Sequence, residues 1–252
     1  MKNSKTANIK LTLYGKQLEL QLNVPLKPVK PMRMLPVLHN ITNKFVQIGV
    51  EALVGENESI SCQAGCGACC SQPVPLAEFE AYQIAELVEN LPEPRRTMIK
   101  KKFADACDQL EKIDWFNRME NAFNSTSSKD ETRKLGLEYF NKNIPCPFLE
   151  EQSCSIHPQR PLACREYLVT SPAENCQNPT AETVTHINVK FKVSDIVRRI
   201  WKTTNLENID FVPMINSLNW AKTHPDKFGK KRGEEWLMDF FKHLTKSEIP
   251  TK

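Results

Sequence analysis

The chain has 252 residues, 40% of them hydrophobic and 25% charged, with nine cysteines and a formal net charge of +4. A chain of this size buries a substantial core without disulfide staples, and no apolar stretch reaches the roughly 18 to 20 residues of a membrane span. The mild positive charge carries no RNP-like, zinc-finger or basic-zipper pattern, which argues against nucleic acid as a partner. Residues 1–10 lack the apolar run of an export signal, so a soluble cytoplasmic protein with reduced thiols and no membrane contact is expected.

Residues 9 to 24 alternate apolar and polar on either side of Tyr14-Gly15-Lys16-Gln17, which predicts a β-hairpin. Four prolines between Pro25 and Pro36 then mark an extended linker. From Val37 to Val54, the apolar residues Val37, Leu38, Ile41, Phe45, Ile48 and Leu53 fall near helical spacing. This helix leads into the run S-C-Q-A-G-C-G-A-C-C, which packs Cys62, Cys66, Cys69 and Cys70 into nine residues. Gly65 and Gly67 give the loop the backbone freedom that wrapping round an ion requires.

Pro73 and Pro75 end the loop, and a helix is predicted over 76–91 with Phe79, Ile84, Leu87 and Val88 as its apolar stripe. That order places the cysteine loop at a helix N-terminus, where N–H groups and the dipole favour thiolates. One further helix is expected over 95–123, and its Cys107, with no cysteine neighbour, reads as a small core residue. The lysines of Ile99–Lys102 read as a solvated face. Residues 124–128 form a polar break, and the helix predicted over 129–141 turns Leu135, Leu137 and Phe140 inward.

A second cysteine patch follows: Cys146, Cys154 and Cys164, with Cys176 further on, in a proline-punctuated segment of turns, short strands and one brief helix near 161–167. Residues 185–191 read as a strand, and 193–201, 213–221 and 234–244 as closing helices. Without a repeat or a clear boundary, the chain is expected to form one domain over 1–252. Its cysteine-cluster region covers 60–176 and its C-terminal helical closure covers 185–246. The fold class is mainly α with a small β component (α+β), with helices packed around a cysteine-lined metal centre and a hairpin at the N-terminus.

Such clustering leaves two explanations, a disulfide framework and a metal or iron–sulfur site, and the size and compartment favour the second. Cysteine binds metal as thiolate, and a bound cation lowers its pKa until the proton leaves. Cys62/Cys66 and Cys66/Cys69 both have the C-x2–4-C spacing of structural zinc. The adjacent Cys69 and Cys70 point in different directions, which implies either two metals or one cysteine with another task. The spacing Cys62-x3-Cys66-x2-Cys69 also occurs in radical enzymes that use S-adenosylmethionine. Those need an alternating strand–helix barrel that this chain lacks, so a cluster with four thiolate ligands fits better. The candidate metal ligands are therefore Cys62, Cys66, Cys69, Cys70, Cys146, Cys154, Cys164 and Cys176, and the cofactor is zinc or iron, with [4Fe–4S] as one form of it. His157 is either a ligand or a bystander packed beside the site. Arg160 and Arg165 are either surface residues or offset the charge of about −2 on a four-thiolate site. His39, His186, His224 and His243 lie outside both patches.

These motifs resemble the YkgJ-type cysteine-cluster family, described as zinc- or iron-chelating and named for a CxxCxxCC motif. Cys62, Cys66, Cys69 and Cys70 match its first signature. Cys146-Pro-Phe-Leu, Cys154-Ser-Ile, Arg160-Pro and Cys164-Arg match its second, so the resemblance spans about residues 60 to 176. One extra residue separates Cys62 from Cys66, and His157 stands where the family more often has tyrosine. The resemblance implies a metal-binding protein. Flagellin lysine N-methylases share a related cluster, which adds the alternative of an iron–sulfur-dependent methylase with a protein substrate. A third alternative is a purely structural zinc site in an interaction protein. No Ser/His/Asp set, phosphate loop or paired carboxylates point to other catalysis.

Overall fold

A computed structural model of the chain describes residues 3–54, 59–124, 129–180, 182–187, 189–203 and 211–247. Beyond Asn124, the polar break at 124–128 falls outside the described residues, as do the side chains of Leu53 and Phe123. The fold is mainly helical with a small β component.

Strands β1 (Ser4–Leu13) and β2 (Lys16–Pro25) form the expected antiparallel hairpin, pairing Leu13 with Lys16 at the tip. Its turn is only Tyr14-Gly15, both at positive φ (50° and 75°), a two-residue turn whose twist matches that of the strands; Lys16 and Gln17 already belong to β2. Every second residue of β2 (Leu18, Leu20, Leu22 and Val24) is buried, so one face of the hairpin covers the core. Helix α1 (Leu35–Leu53) lies against it with Leu38, Ile41 and Phe45 inward.

After the first cysteine patch come β3 (Pro75–Leu76), α2 (Glu78–Glu89) and α3 (Arg95–Glu111). The single helix expected over 95–123 is instead two. The chain breaks at 112–114, where Asp114 takes a left-handed φ of 53°, and α4 (Trp115–Asn124) leaves in a new direction that buries Trp115 completely. In α5 (Lys129–Asn141) the buried residues are Leu135 and Tyr139, four apart; Leu137 is exposed, contrary to expectation, because it lies off that stripe.

The second patch contains the two-residue strands β4 (Leu149–Glu150) and β5 (Ser153–Cys154) and the short helix α6 (Leu162–Glu166). The strand expected over 185–191 is reduced, among the described residues, to one bridge between His186 and Val169. Helix α7 (Val193–Ile200), strand β6 (Val212–Pro213), which pairs with β3, and helices α8 (Ser217–Thr223) and α9 (Gly233–Ser247) complete the order.

Two large apolar clusters result among the described residues, with a small third one of Val169, Cys176 and Val184. The hairpin, α1, α7 and α9 build one, in which Trp201 packs on Phe79 and Trp236 at 5.7 and 4.8 Å between ring centroids. Helices α2 to α5 and α8 build the other, around Trp115, Phe103 and Phe148. Helix α2 serves both, with Phe79 facing the first and Ala81, Ile84 and Val88 the second. Likewise Leu162 of α6 packs in the first cluster while Ala163 and Cys164 touch the second. The short, proline-rich cysteine segments thus lie along a seam between apolar layers, where a helical rod would present too few thiols to one point.

Candidate metal centre

The two cysteine patches meet. The Cys146 N–H donates to the Cys70 carbonyl at 2.6 Å, joining the patches through their backbones. Ser61 adds a second tie, its N–H donating to the Val169 carbonyl at 3.0 Å and its hydroxyl to that of Thr170 at 3.1 Å. Gly67 makes the approach possible, since a Cβ there would lie 2.5 Å from the Gln152 carbonyl oxygen and from Leu149 Cδ1. Opposite it, Glu151 and Gln152 form a tight turn at φ 48° and 61°, and the strand that follows presents Cys154.

Six of the eight candidate ligands, Cys66, Cys69, Cys70, Cys146, Cys154 and Cys164, line one cavity of about 60 Å³. Cys62 and Cys176 lie beside it, packed with Cys69, Tyr167 and Val169. Burial first, and Cys69 as a lesser contributor, raise the pKa of Cys62 and Cys176 on one side and of Cys146, Cys154 and Cys164 on the other, so Cys69 lies between the two groups. Cys107 stands apart, buried in α3 with its S–H donating to the Ile215 carbonyl at 3.1 Å. Among the described residues, no three His, Cys, Asp or Glu side chains are already disposed to hold a metal ion.

The chemistry of the donor set fits a thiophilic cation. Burial pushes the Cys146 thiol up to about 12 and Cys176 up to about 11, and raises Cys154 and Cys164, the latter well above the usual thiol range. Cys69 is raised first by its hydrogen bond to Cys70 and then by burial. Neighbouring thiols add to these shifts, because two thiolates repel in a dry site. Opposing them, the backbone N–H groups of Phe148 and Ile156 favour the ionised forms of Cys146 and Cys154. Without a cation these raised thiols stay protonated; a bound Zn²⁺ or iron supplies the charge that displaces the protons. A cavity this small suits an ion or an inorganic cluster; organic ligands occupy roughly 300 to 1,000 Å³.

The expected placement at a helix N-terminus is not what forms. The N-terminus of α2 is held by its own Glu80, whose buried carboxylate accepts from the Ala77 N–H at 3.0 Å and the Leu162 N–H at 2.9 Å. This third-residue glutamate is half of a capping box and so legible in the chain, but its second bond, which fixes the start of the helix carrying Cys164, has no local signal.

The charged neighbours resolve differently from one another. Arg165 is buried and spends its donors on the Arg160 carbonyl (3.1 Å), the Pro158 carbonyl (2.5 Å) and Asn43 Oδ1 (3.3 Å), so it ties the loop together. Arg160 lines the cysteine cavity, as does His157, whose Nε2 faces Arg160 Nη1 at 2.7 Å. Lys102, read as part of a solvated face, reaches the carbonyls of Pro147 and Leu149 at 3.4 and 3.5 Å and braces the loop after Cys146.

A seam between helical layers, crossed by two cysteine patches that meet in a small cavity, defines a cysteine-cluster domain suited to metal chelation. The particular family is CxxCxxCC, "Putative zinc- or iron-chelating domain", which matches residues 61–187. The match covers just over half of the chain, and the chain belongs to that family. No curated protein and no solved structure matches the chain. Among the described residues, no helix is long and apolar enough to cross a membrane.

Proposed function

We propose that the protein binds zinc or iron through the thiolates of Cys62, Cys66, Cys69, Cys70, Cys146, Cys154, Cys164 and Cys176, with Cys69 central to the set. The observation that carries this reading is the convergence of six cysteines from both patches on one cavity. Binding draws the side chains from their present positions into coordination, so it is accompanied by proton release and local ordering. The bound group is an iron–sulfur cluster in the form we favour, because all-cysteine ligation without a preformed His or carboxylate ligand suits one. A reducing, cytoplasmic setting belongs to this reading, since the role needs free thiols, and all nine cysteines are free. The structural-zinc alternative predicts the same ligands and an inert, colourless protein.

The methylase alternative draws support from a separate cavity of about 330 Å³, which shares Gln72, Val74 and Cys164 with the cysteine cavity and is also lined by Glu166, Tyr167 and Lys192. Its volume lies at the lower bound of small-molecule sites, and it borders the thiols that would hold the cluster. Calorimetric titration of cluster-loaded protein with S-adenosylmethionine tests this alternative, and absence of binding removes it.

The test of the main reading is elemental analysis with an absorption spectrum on protein purified without oxygen. Iron with acid-labile sulfide and broad absorption near roughly 400 nm supports the cluster. Stoichiometric zinc without colour supports the structural form. Protein that retains neither metal and takes up neither on reconstitution overturns the chelation reading altogether.

A further inference from the structure

Arg160 carries an unusual combination of features for a residue on a loop. Among the described residues, it is the only arginine or lysine lining the cysteine cavity. One end of the guanidinium is held by His157, whose Nε2 accepts from Nη1 at 2.7 Å. This contact places the imidazole proton on Nδ1 and occupies the nitrogen with which His157 would otherwise ligate a metal. The backbone is held as well, with the Arg160 carbonyl accepting from Arg165 Nε at 3.1 Å. Yet the Arg160 Nε–H, although buried, has no hydrogen-bond partner.

A buried donor on a charged group costs about 1 to 3 kcal/mol or more when left unpaired, so a position that keeps one free is suited to an acceptor that arrives later. Arg160 lines the cavity, and six cysteine sulfurs that line it too are the candidate acceptors. A neutral thiol accepts poorly; a metal-bound thiolate accepts well and leaves the site with an excess negative charge that a guanidinium offsets.

We infer that Arg160, oriented by His157, is a positioning residue that donates its Nε–H to a cysteine thiolate of the loaded site and offsets the charge there. The inference rests on the chelation reading above. It assigns the arginine and the histidine at the cavity one shared task, with His157 as the support of Arg160 and not a ligand.

Cobalt(II) titration of the whole chain under reducing conditions, read by the thiolate-to-metal charge-transfer band, tests this directly. Removing an outer-shell partner of a metal ligand typically costs 10- to 100-fold in affinity, and that loss is expected for Arg160→Gln. The charge-transfer band should also move to lower energy, because a sulfur relieved of its N–H donor gives up electron density more readily. A merely structural role would not move that band in protein that still binds. Arg160→Lys, which keeps the charge but not the planar fork, should recover part of the affinity and not the band position. His157→Ala should shift the band in the same direction as Arg160→Gln by freeing the guanidinium. Melting curves of the metal-free variants identify the folded fraction on which affinities are compared. If Arg160→Gln binds cobalt with wild-type affinity and spectrum, the inference is overturned while chelation stands; if the wild-type chain binds no cobalt, chelation itself falls, and the inference with it.

Discussion

The N–H of Cys146 and the carbonyl of Cys70 share a hydrogen bond of 2.6 Å, which joins the last cysteine of the first patch to the first cysteine of the second. Two segments far apart in the chain are thereby held in register before any side chain is considered. The loop-closure entropy of bringing them together is met by folding, and a metal has only to draw in thiols that already share a cavity. That division of labour determines which substitutions remove metal and which remove structure.

Cys66→Ser and Cys154→Ser each delete a thiol from the shared cavity and should lower bound metal on anaerobic purification to half of the wild-type content or less, while the chain still folds. Cys107→Ser should leave metal content unchanged, because this residue is buried in α3 and its S–H serves only the Ile215 carbonyl, a bond that a hydroxyl also makes. Metal analysis on the three purified variants separates the groups. Equal losses in all three would sink the ligand assignment.

Gly67→Ala tests the approach of the two patches. The added methyl would meet the Gln152 carbonyl and Leu149 Cδ1 at 2.5 Å, and the carbonyl belongs to a tight turn that cannot swing away. Overpacking of this kind costs about 1 to 3 kcal/mol, so thermal unfolding should come several degrees earlier and metal affinity should fall as Cys154 is pushed from Cys66 and Cys69. Gly136→Ala is the comparison. A Cβ there meets nothing within 4 Å, and in mid-helix the change should stabilise by about 1 kcal/mol. A Gly67→Ala protein with wild-type melting and metal content would show that the close contact between the patches is not needed.

Much of this arrangement was legible in the chain and some was not, for physical reasons. Amphipathic stripes in α1 and α2 and the alternation in β2 report burial directly, because periodicity and solvent exposure are the same fact seen twice. The cysteine patches stand out by their density, and six of their cysteines line one cavity. What failed depends on single backbone angles or on distant partners. One left-handed residue, Asp114, splits the helix expected over 95–123, and no periodicity betrays it. Among the described residues, the strand expected over 185–191 comes to one bridge, His186–Val169, with a segment the local pattern does not point to. Lys102, Arg165 and the second bond of Glu80 join segments that the sequence does not bring together, so local reading leaves them as a solvated charge, an arginine with two readings and an ordinary helix start.

Acid should loosen the metal-free protein partly through His39. Burial, then the charges of Arg165 and Arg160, lower its pKa from 6.5 to about 4. Between those values the unfolded chain takes up a proton that the native state refuses, so the stability is fully present above pH 6.5 and is lost as pH falls towards 4. With allowance for partial solvent screening the contribution is about 2 kcal/mol. Urea unfolding of wild type and His39→Gln at pH 7.5 and pH 4.5 checks it: the difference between the two pH values should shrink in the variant. An equal difference in both proteins would assign the acid sensitivity to other groups.

Glu80 couples the helical core to the cysteine site. Its buried carboxylate satisfies both the Ala77 N–H at the start of α2 and the Leu162 N–H at the start of α6, the helix that carries Cys164. Glu80→Ala would leave two buried donors without acceptors, each costing about 1 to 3 kcal/mol, beyond any cavity left by the side chain. The melting temperature should therefore drop by about 5 to 15 °C. Glu80→Gln keeps one acceptor oxygen but turns an amide NH₂ towards a second N–H, so it should fall between the two. The folded fraction of Glu80→Ala should also bind metal more weakly than wild type, because α6 loses the anchor that sets the position of Cys164. If its melting temperature falls while the affinity of the folded fraction is unchanged, then Cys164 is positioned by the packing of Leu162 and not by this carboxylate.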